Sequence, residues 1–172
     1  GQDWPERRRQ LFMEGDLFLV EGPFMQKRLI ELGCSSNKVK LQHIAIKVND
    51  LPFRERLPRH DGKAVVLFAG RFYEKKGLIY ALQSVRDVFQ KDRNIEFRVI
   101  GDGPLMPEVR AFVKDNEMDH YVRLLGFLNH TYYLQEMQGA DIFLHPSVTA
   151  ADGDSEGGAP TTILEAQASG MP

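Results

Sequence analysis

Residues 64–90 read AVVLFAGRFYEKKGLIYALQSVRDVFQ and combine an apolar run, a glycine-bounded loop and an amphipathic segment. The run Ala64–Ala69 contains no polar residue, which is typical of a strand buried on both faces of a sheet. Residues 78–90 place apolar side chains at helical spacing and predict a helix with one buried stripe. A strand, a loop and a helix in this order form the repeating unit of a parallel α/β sheet.

The same order recurs downstream. Strands are predicted at residues 97–100, 122–125 and 141–144, and helices near residues 105–113, 131–138 and 163–169. Apolar strands followed by amphipathic helices predict a Rossmann-like α/β fold, in which a parallel sheet carries helices on both faces. Ligands of such folds bind beyond the carboxyl ends of the strands, so the loops that begin at Gly70, Gly101, Gly126 and His145 are candidate site segments.

Shorter elements precede this sheet. Residues 6–14 predict a helix, and residues 17–20 predict a buried strand. A second helix begins at Pro23, where a missing N–H costs little, and ends at Gly33, which suits a left-handed cap. Residues 39–48 alternate apolar and polar side chains and predict an exposed or edge strand.

A change in composition marks a domain boundary. Residues 49–62, NDLPFRERLPRHDG, contain two prolines, several charges and little periodicity, which is typical of a linker. We assign residues 1–50 to the end of one unit, residues 51–62 to the linker and residues 63–172 to a second unit. Because Gly-Met-Pro ends the chain directly after a predicted helix, we expect it to be a piece of a longer protein.

Composition and charge exclude several classes of function. A formal net charge of -2 does not favour binding to nucleic acid or to an anionic membrane, and the basic runs at residues 7–9 and 54–59 are interpreted as solvated faces. The single cysteine, Cys34, excludes an internal disulfide and is in keeping with a reducing compartment such as the cytoplasm. The histidines lack metal-ligand spacing, and no nucleophile triad, CxxC, HExxH or GxGxxG pattern occurs.

The loop after the first strand of the second unit carries two cations. Arg71 offers a planar fork for phosphate oxygens, and Lys76 offers a mobile point charge beside the helix that starts near Gly77. With Gly70 at the end of the strand, these residues indicate a phosphate-binding loop. Scattered surface charge explains the same composition equally well.

Three further segments can contribute residues to the same edge of the sheet. Gly101 and Gly103 allow close backbone approach to a ligand, although a tight turn before a helix favours the same residues. Gly126 and Phe127 offer a backbone amide and an aromatic face to a base, and Phe127 fits a core position as well. A neutral His145 can bond a polar ligand or serve a structural role.

An acidic, glycine-rich loop at residues 152–158 leads into the last predicted helix. A loop with few Cβ atoms before a helix N-terminus is a candidate phosphate seat, with Glu165 about one turn inside the helix. A solvent loop followed by a capped surface helix is the alternative. Calcium is disfavoured, because an EF-hand loop requires a bidentate glutamate at its twelfth position, where Ile163 stands.

Five segments in a fixed order resemble the C-terminal donor-binding domain of family 4 glycosyltransferases of the colanic acid or exopolysaccharide type. They are FAGRFYEKKG, FRVIGDGP, VRLLGF, ADIFLHPS and EGGAPTTILEAQASGMP. The resemblance covers residues 64–172, and residues 15–54 resemble more loosely the segment that joins the two domains of these enzymes. It implies the C-terminal half of a GT-B fold, truncated, and a tail of the acceptor domain in residues 1–50.

The same resemblance implies an activity and its surroundings. The parent protein would be a hexosyltransferase that moves a sugar, with retention, from a nucleotide diphosphate sugar to a glycan or lipid-linked acceptor. No metal and no other cofactor is implied. The parent would work in the cytoplasm, with peripheral association at the inner face of the membrane. The isolated piece would be inactive, because the cleft of such enzymes lies between two domains.

The resemblance also assigns roles to residues. Arg71 and Lys76 would hold the donor diphosphate and stabilise its charge as the glycosidic bond breaks, while Glu156 would reach the donor sugar. Glu165 matches the second of the family's paired glutamates, which bonds the ribose hydroxyls. Eight residues separate Glu156 from Glu165, one more than in the family, so Glu156 keeps its role only if the loop absorbs the extra residue.

Two backbone segments complete the implied site. Gly157, Gly158 and Ala159 match the loop whose amides meet the phosphates, and Gly126 with Phe127 matches the segment that frames the base. A nucleotide-binding α/β module without chemistry is the alternative function, and the complete donor-site set argues against it. A relative that uses a phosphorylated sugar or pyridoxal phosphate ranks lower, because no Schiff-base lysine motif occurs. The nucleotide, the sugar and the acceptor stay open.

Overall fold

The computed structural model describes residues 4–156 and 158–172. The chain divides into two compact units, one comprising residues 1–45 with 157–159 and the other residues 46–156 with 160–172. No helix within the described ranges is long and apolar enough to cross a membrane.

The first unit contains a small parallel sheet and two helices in its described part. Its elements are α1 (Trp4–Glu14), β1 (Phe18–Val20), α2 (Pro23–Glu31) and β2 (Val39–Leu41). Phe12, Val20, Cys34 and Val39 form its buried core. Gly33 follows α2 with a φ of 101°, the left-handed conformation that the predicted cap requires.

The strand predicted at residues 39–48 is much shorter than expected. β2 ends at Leu41 because its partner β1 ends at Val20, where the chain turns into α2. The Gln42 N–H donates one further hydrogen bond to Val20 O at 2.8 Å, and residues 43–47 form neither helix nor strand. An alternating pattern of side chains is therefore not sufficient for a strand, because each strand residue also needs a backbone partner.

The second unit is built on a four-stranded parallel sheet. Its strands are β3 (Ala64–Ala69), β4 (Ile95–Ile100), β5 (Val122–Gly126) and β6 (Ile142–Phe143). They lie in the order β5-β4-β3-β6, so β3 pairs in parallel with both β4 and β6. The apolar run Ala64–Ala69 is thus an interior strand of this sheet.

Helices cover both faces of this sheet. They are α3 (Leu78–Phe89), α4 (Met106–Asp115), α5 (His130–Gly139) and α6 (Thr161–Ala168). Val66 and Phe68 of β3 pack with α3 and α4, whereas Val65, Leu67 and Ala69 pack with α5 and α6. Since successive residues of a strand point to opposite faces, a strand covered on both sides must be apolar throughout. The predicted Rossmann-like fold class is confirmed.

The strand order creates a topological switch point between β3 and β6. From β3 the chain moves through β4 to β5, and it then returns to form β6 on the other side of β3. The Leu144 N–H still donates to Leu67 O at 2.8 Å, so His145 is the first residue beyond the sheet at β6. Gly70 holds the matching place after β3. Open α/β sheets bind ligands in the crevice at such a point.

The predicted linker, residues 51–62, lies within the second unit and packs against the rest of it. Arg54 Nη2 donates to a backbone carbonyl oxygen at 2.8 Å and forms an ion pair with Asp141 at 3.2 Å. Arg56 Nη2 donates to Met137 O at 3.2 Å. The interpretation of this basic run as a solvated face is therefore wrong for these two arginines, because their guanidinium groups satisfy backbone carbonyls. The proposed domain bounds stay a prediction.

Candidate functional site

The loops after β3 and β6 contact each other through their backbones. A 3-10 turn, Glu74–Lys76, ends at Gly77, which has a φ of 69° and precedes α3. A Cβ atom at Gly77 would lie 1.8 Å from Pro146 O, so only glycine fits there. This close approach fixes Lys76 beside the segment that follows β6.

Lys76 and Glu156 form an ion pair at this point. Lys76 Nζ lies 2.7 Å from Glu156 Oε1, and the two side chains are only 14% and 21% exposed. They are 80 positions apart in the chain and meet because both loops emerge at the carboxyl edge of the sheet. Partial burial strengthens the local field of a charge, which suits a pair that meets a charged ligand.

The third predicted catalytic residue, Arg71, is exposed. Its guanidinium carbon lies 5.5 Å from the centre of the Tyr73 ring, a cation–π contact. Arg71 also lines the neighbouring cleft. Its charge is therefore held close to the crevice without an ion pair to Glu156.

His145 presents a buried ring nitrogen beside Gly70. Its ring stacks on Phe68, with centroids 5.4 Å apart, and Nδ1 lies 2.9 Å from Ser147 Oγ. Nε2 is buried, and the described part of the chain supplies it with no hydrogen-bond partner. Burial lowers the pKa of His145, and the charge of Lys76 lowers it further. The ring is therefore neutral at neutral pH, and its Nε2 is a spare hydrogen-bonding group.

A mostly apolar cleft of about 450 Å³ lies beyond the ends of β3 and β4. Its lining residues are Ala69, Gly70, Arg71, Ile100, Gly101, Asp102, Phe127, Leu128, Tyr133 and Thr162. Phe127 is 83% exposed, so the interpretation of this residue as a core position is wrong. Gly126, just before it, has a φ of 69° that turns the chain out of β5. The cleft thus gathers predicted residues from three separate loops.

Glu165 lies in α6 and is held by a residue that sequence reasoning missed. Tyr133 Oη donates to Glu165 Oε2 at 2.8 Å, and His130 Nε2 lies 4.0 Å from Oε1. Burial raises the pKa of Tyr133 far above its ordinary value, and the Glu165 charge raises it further, so the phenol remains a donor. Tyr133 and Thr162 both line the cleft. The available signal for Tyr133 was its place one turn into the helix that follows β5.

Gly101 and Gly103 have a packing role that accounts for both glycines. A Cβ atom at Gly101, where φ is 134°, would lie 1.9 Å from Gly70 O. A Cβ atom at Gly103 would lie 2.8 Å from the backbone of Phe72, whose N–H donates to Asp102 O at 2.9 Å. The tight-turn alternative thus has direct structural support, and contact of these glycines with a ligand stays a prediction.

The acidic loop is tied to the turn before α3. Lys75 Nζ lies 3.0 Å from Asp154 Oδ2, and the Ala151 N–H donates to Glu74 Oε1 at 3.0 Å. The described residues contain no group of three or more His, Cys, Asp or Glu side chains that could hold a metal ion. Asp154 therefore serves as the partner of a lysine.

The predicted phosphate-binding residues Gly157, Gly158 and Ala159 are not grouped with the other predicted site residues. Gly157 lies outside the described residues. Gly158 and Ala159 group with the first unit, whereas Arg71, Lys76 and Glu165 belong to the second. The assignment of Gly157, Gly158 and Ala159 to phosphate binding stays a prediction.

Comparison with protein families decides what this chain is related to. Residues 63–172 match the family described as glycosyl transferases group 1. The chain belongs to this family. AmsK of Erwinia amylovora, an amylovoran biosynthesis glycosyltransferase, is 33% identical over 99% of the chain and 40% of its own length. WcaL of Escherichia coli, whose name places it in colanic acid biosynthesis, is 30% identical over 95% of the chain and 40% of its own length.

Solved structures share the fold. Anabaena HepE in complex with UDP and glucose superposes with a TM-score of 0.77 at 18% identity, over 98% of this chain and 47% of HepE. WaaG, a glycosyltransferase involved in lipopolysaccharide biosynthesis, has a TM-score of 0.69 at 16% identity, over 90% of this chain and 42% of WaaG. The chain spans less than half the length of these relatives. The predicted fold, half of a GT-B glycosyltransferase, is confirmed.

Proposed function

We propose that this chain is the donor-binding part of a longer glycosyltransferase, which moves a sugar from a nucleotide diphosphate to a glycan or lipid-linked acceptor. The observation that carries the proposal is the half-buried Lys76–Glu156 pair, 2.7 Å apart at the switch point, in a chain of this family. The names of AmsK and WcaL support a role in polysaccharide biosynthesis.

The cleft and its rim fit the parts of a nucleotide sugar. The apolar lining accepts a nucleoside, and the exposed Phe127 offers a face on which a base can stack. Glu165, held by Tyr133 at the edge of the cleft, would accept hydrogen bonds from the ribose. Arg71, which lines the cleft, and Lys76, which pairs with Glu156 at the switch point, would hold the diphosphate.

The chemistry that these residues supply is electrostatic. As the bond between the sugar and the diphosphate breaks, negative charge grows on the departing phosphate oxygens, and Lys76 with Arg71 would stabilise it. Glu156 would orient Lys76 and reach the donor sugar. Neutral His145 would offer the donor a hydrogen bond through its buried Nε2 without adding a third cation. We further propose transfer with retention of anomeric configuration, without a metal or other cofactor.

The location of the reaction is part of the same proposal. The full-length protein would act on the cytoplasmic side, with peripheral association at the membrane when the acceptor is lipid-linked. The donor-binding part by itself would transfer no sugar, because acceptor groups must be brought to the reacting carbon by a second domain.

Calorimetric titration tests the donor site. UDP is the first nucleotide to use, because HepE was solved with UDP and glucose; GDP and ADP follow. Lys76→Ala should weaken binding by roughly tenfold or more, as expected for a lost charge-assisted contact. Lys91→Ala is the matched control. This exposed lysine lies between α3 and the amino end of β4, whereas the candidate site lies at the carboxyl ends of the strands. Binding that survives Lys76→Ala unchanged would count against the placement of the diphosphate.

Full-length protein tests the reaction itself. Transfer from a labelled nucleotide sugar, with the anomeric configuration read by NMR, should show retention, and inversion would refute that part of the proposal. Nucleotide binding without any transfer would favour the non-catalytic module. A folded full-length protein that binds no nucleotide would overturn the proposed function.

A further inference from the structure

Tyr133 is a buried phenol that bonds the carboxylate proposed to recognise the ribose. Tyr133 is 8% exposed, and its Oη donates to Glu165 Oε2 at 2.8 Å. The other carboxylate oxygen, Oε1, lies 4.0 Å from His130 Nε2, beyond hydrogen-bond distance. The side chain of Glu165 remains 18% exposed. One oxygen is thus held from inside the protein, and the other is left for a partner.

We propose that Tyr133 is a positioning residue for ribose recognition, which holds Glu165 so that Oε1 accepts a hydrogen bond from the 2′-hydroxyl of the donor nucleotide. The inference rests on the proposed function. A glutamate side chain that is already ordered does not lose rotamer freedom when the ligand binds. A carboxylate can accept about four hydrogen bonds, so the bond from Tyr133 leaves capacity for the ribose.

The alternative is that Tyr133 is only a core residue of α5. A buried phenol needs a partner for its hydroxyl, and a backbone carbonyl would satisfy it as well as a carboxylate. Here the hydroxyl reaches across to α6, and Tyr133 also lines the cleft. Burial and the Glu165 charge both raise the pKa of the phenol, so it keeps its proton and always donates. A phenylalanine would retain the packing and remove only the hydroxyl.

The test compares UDP with 2′-deoxy-UDP by calorimetry on the full-length protein. Wild type should prefer UDP by about tenfold or more, the value of a hydrogen bond to a charged group. Tyr133→Phe should weaken UDP binding about fivefold and leave 2′-deoxy-UDP binding nearly unchanged, so that the preference falls to about twofold. Tyr132→Phe is the control, because it removes a hydroxyl from the exposed neighbour on the same helix.

Two further measurements separate positioning from general packing. In a Glu165→Ala background, Tyr133→Phe should have no further effect on UDP affinity, because its action passes through the carboxylate. Glu165→Asp shortens the side chain and so withdraws the carboxylate from the Tyr133 hydroxyl without changing α5. This variant should also lose the preference for UDP over 2′-deoxy-UDP. In the enzyme assay the donor KM should rise while kcat changes little, since the ribose is remote from the reacting bond.

The outcomes are distinct. A preference for UDP that Tyr133→Phe leaves intact, or an equal loss of both nucleotides, would overturn the inference and leave the proposed function standing. Folded wild-type protein that binds none of UDP, GDP and ADP would remove the proposed function and the inference together.

Discussion

Glu96→Gln is expected to lower the free energy of unfolding of the second unit by about 3 kcal/mol at neutral pH. Glu96 lies in β4, is 8% exposed, and accepts hydrogen bonds from Lys63 and from Arg98 Nε, the latter at 2.7 Å. Burial alone raises the pKa of Glu96, but the hydrogen bonds and charges of these two cations outweigh it and lower the pKa from 4.5 to about 2. At about 1.4 kcal/mol per pH unit, this difference corresponds to about 3 kcal/mol.

The sign of the pH dependence follows from the depressed pKa. The carboxylate of Glu96 stabilises the folded state fully above its unfolded pKa of about 4.5, and this stabilisation is lost as the pH falls towards about 2. The difference between wild type and Glu96→Gln should therefore be largest near neutral pH and shrink in this acidic window. Other carboxyl groups titrate in both proteins and cancel in the difference.

Urea unfolding followed by far-UV circular dichroism measures this difference. Fluorescence is unsuitable, because the single tryptophan, Trp4, belongs to the first unit. Glu55→Gln, at an exposed position of the linker, is the control and should change the free energy by less than about 0.5 kcal/mol. Equal stabilities of wild type and Glu96→Gln at neutral pH, or a difference that does not vary with pH, would refute the charge-based reasoning.

Three other outcomes are expected. Gly77→Ala should lower the melting temperature by several degrees, because the new Cβ would lie 1.8 Å from Pro146 O and the backbone φ is 69°. Gly22→Ala is the control, since a Cβ built there meets no atom within 4 Å. Equal losses of melting temperature in the two variants would contradict the clash. The pKa of His145 measured by NMR should lie below 6.5 and rise in Lys76→Ala, and a value above 6.5 would be inconsistent with the buried ring. Glu156→Gln removes the charge 2.7 Å from Lys76 Nζ, so UDP should bind more tightly while full-length protein transfers sugar more slowly; weaker binding would argue against the pair.

Local features explain why most of the second unit was predictable. The run Ala64–Ala69 is apolar at every position because β3 is covered on both faces. The pattern lies in consecutive residues, so it can be recognised in the sequence. The helix after it has its buried positions at helical spacing. The strand expected at residues 39–48 failed for the converse reason, since its length depends on a partner elsewhere in the chain.

The candidate site was predictable only as a set of loops. Sequence reasoning selected Arg71, Lys76, Glu156 and Glu165, but local patterns do not say which of them touch. The structure pairs Lys76 with Glu156 and holds Glu165 through Tyr133. The structure also shows that Gly101 is needed because the backbone of Gly70 lies against it. The sequence alone does not tell whether a glycine makes room for a neighbouring backbone or for a ligand.

The sequence by itself determined the parallel α/β class, the helix and strand positions of the second unit and the loops that bear charge, because periodicity and glycine placement act over neighbouring residues. Only the tertiary structure decided the order β5-β4-β3-β6, the switch point beside His145 and the contacts between residues 32 and 80 positions apart. Strand pairing brings together segments that are distant in the chain. The local sequence around each of these residues does not indicate which distant residue it contacts.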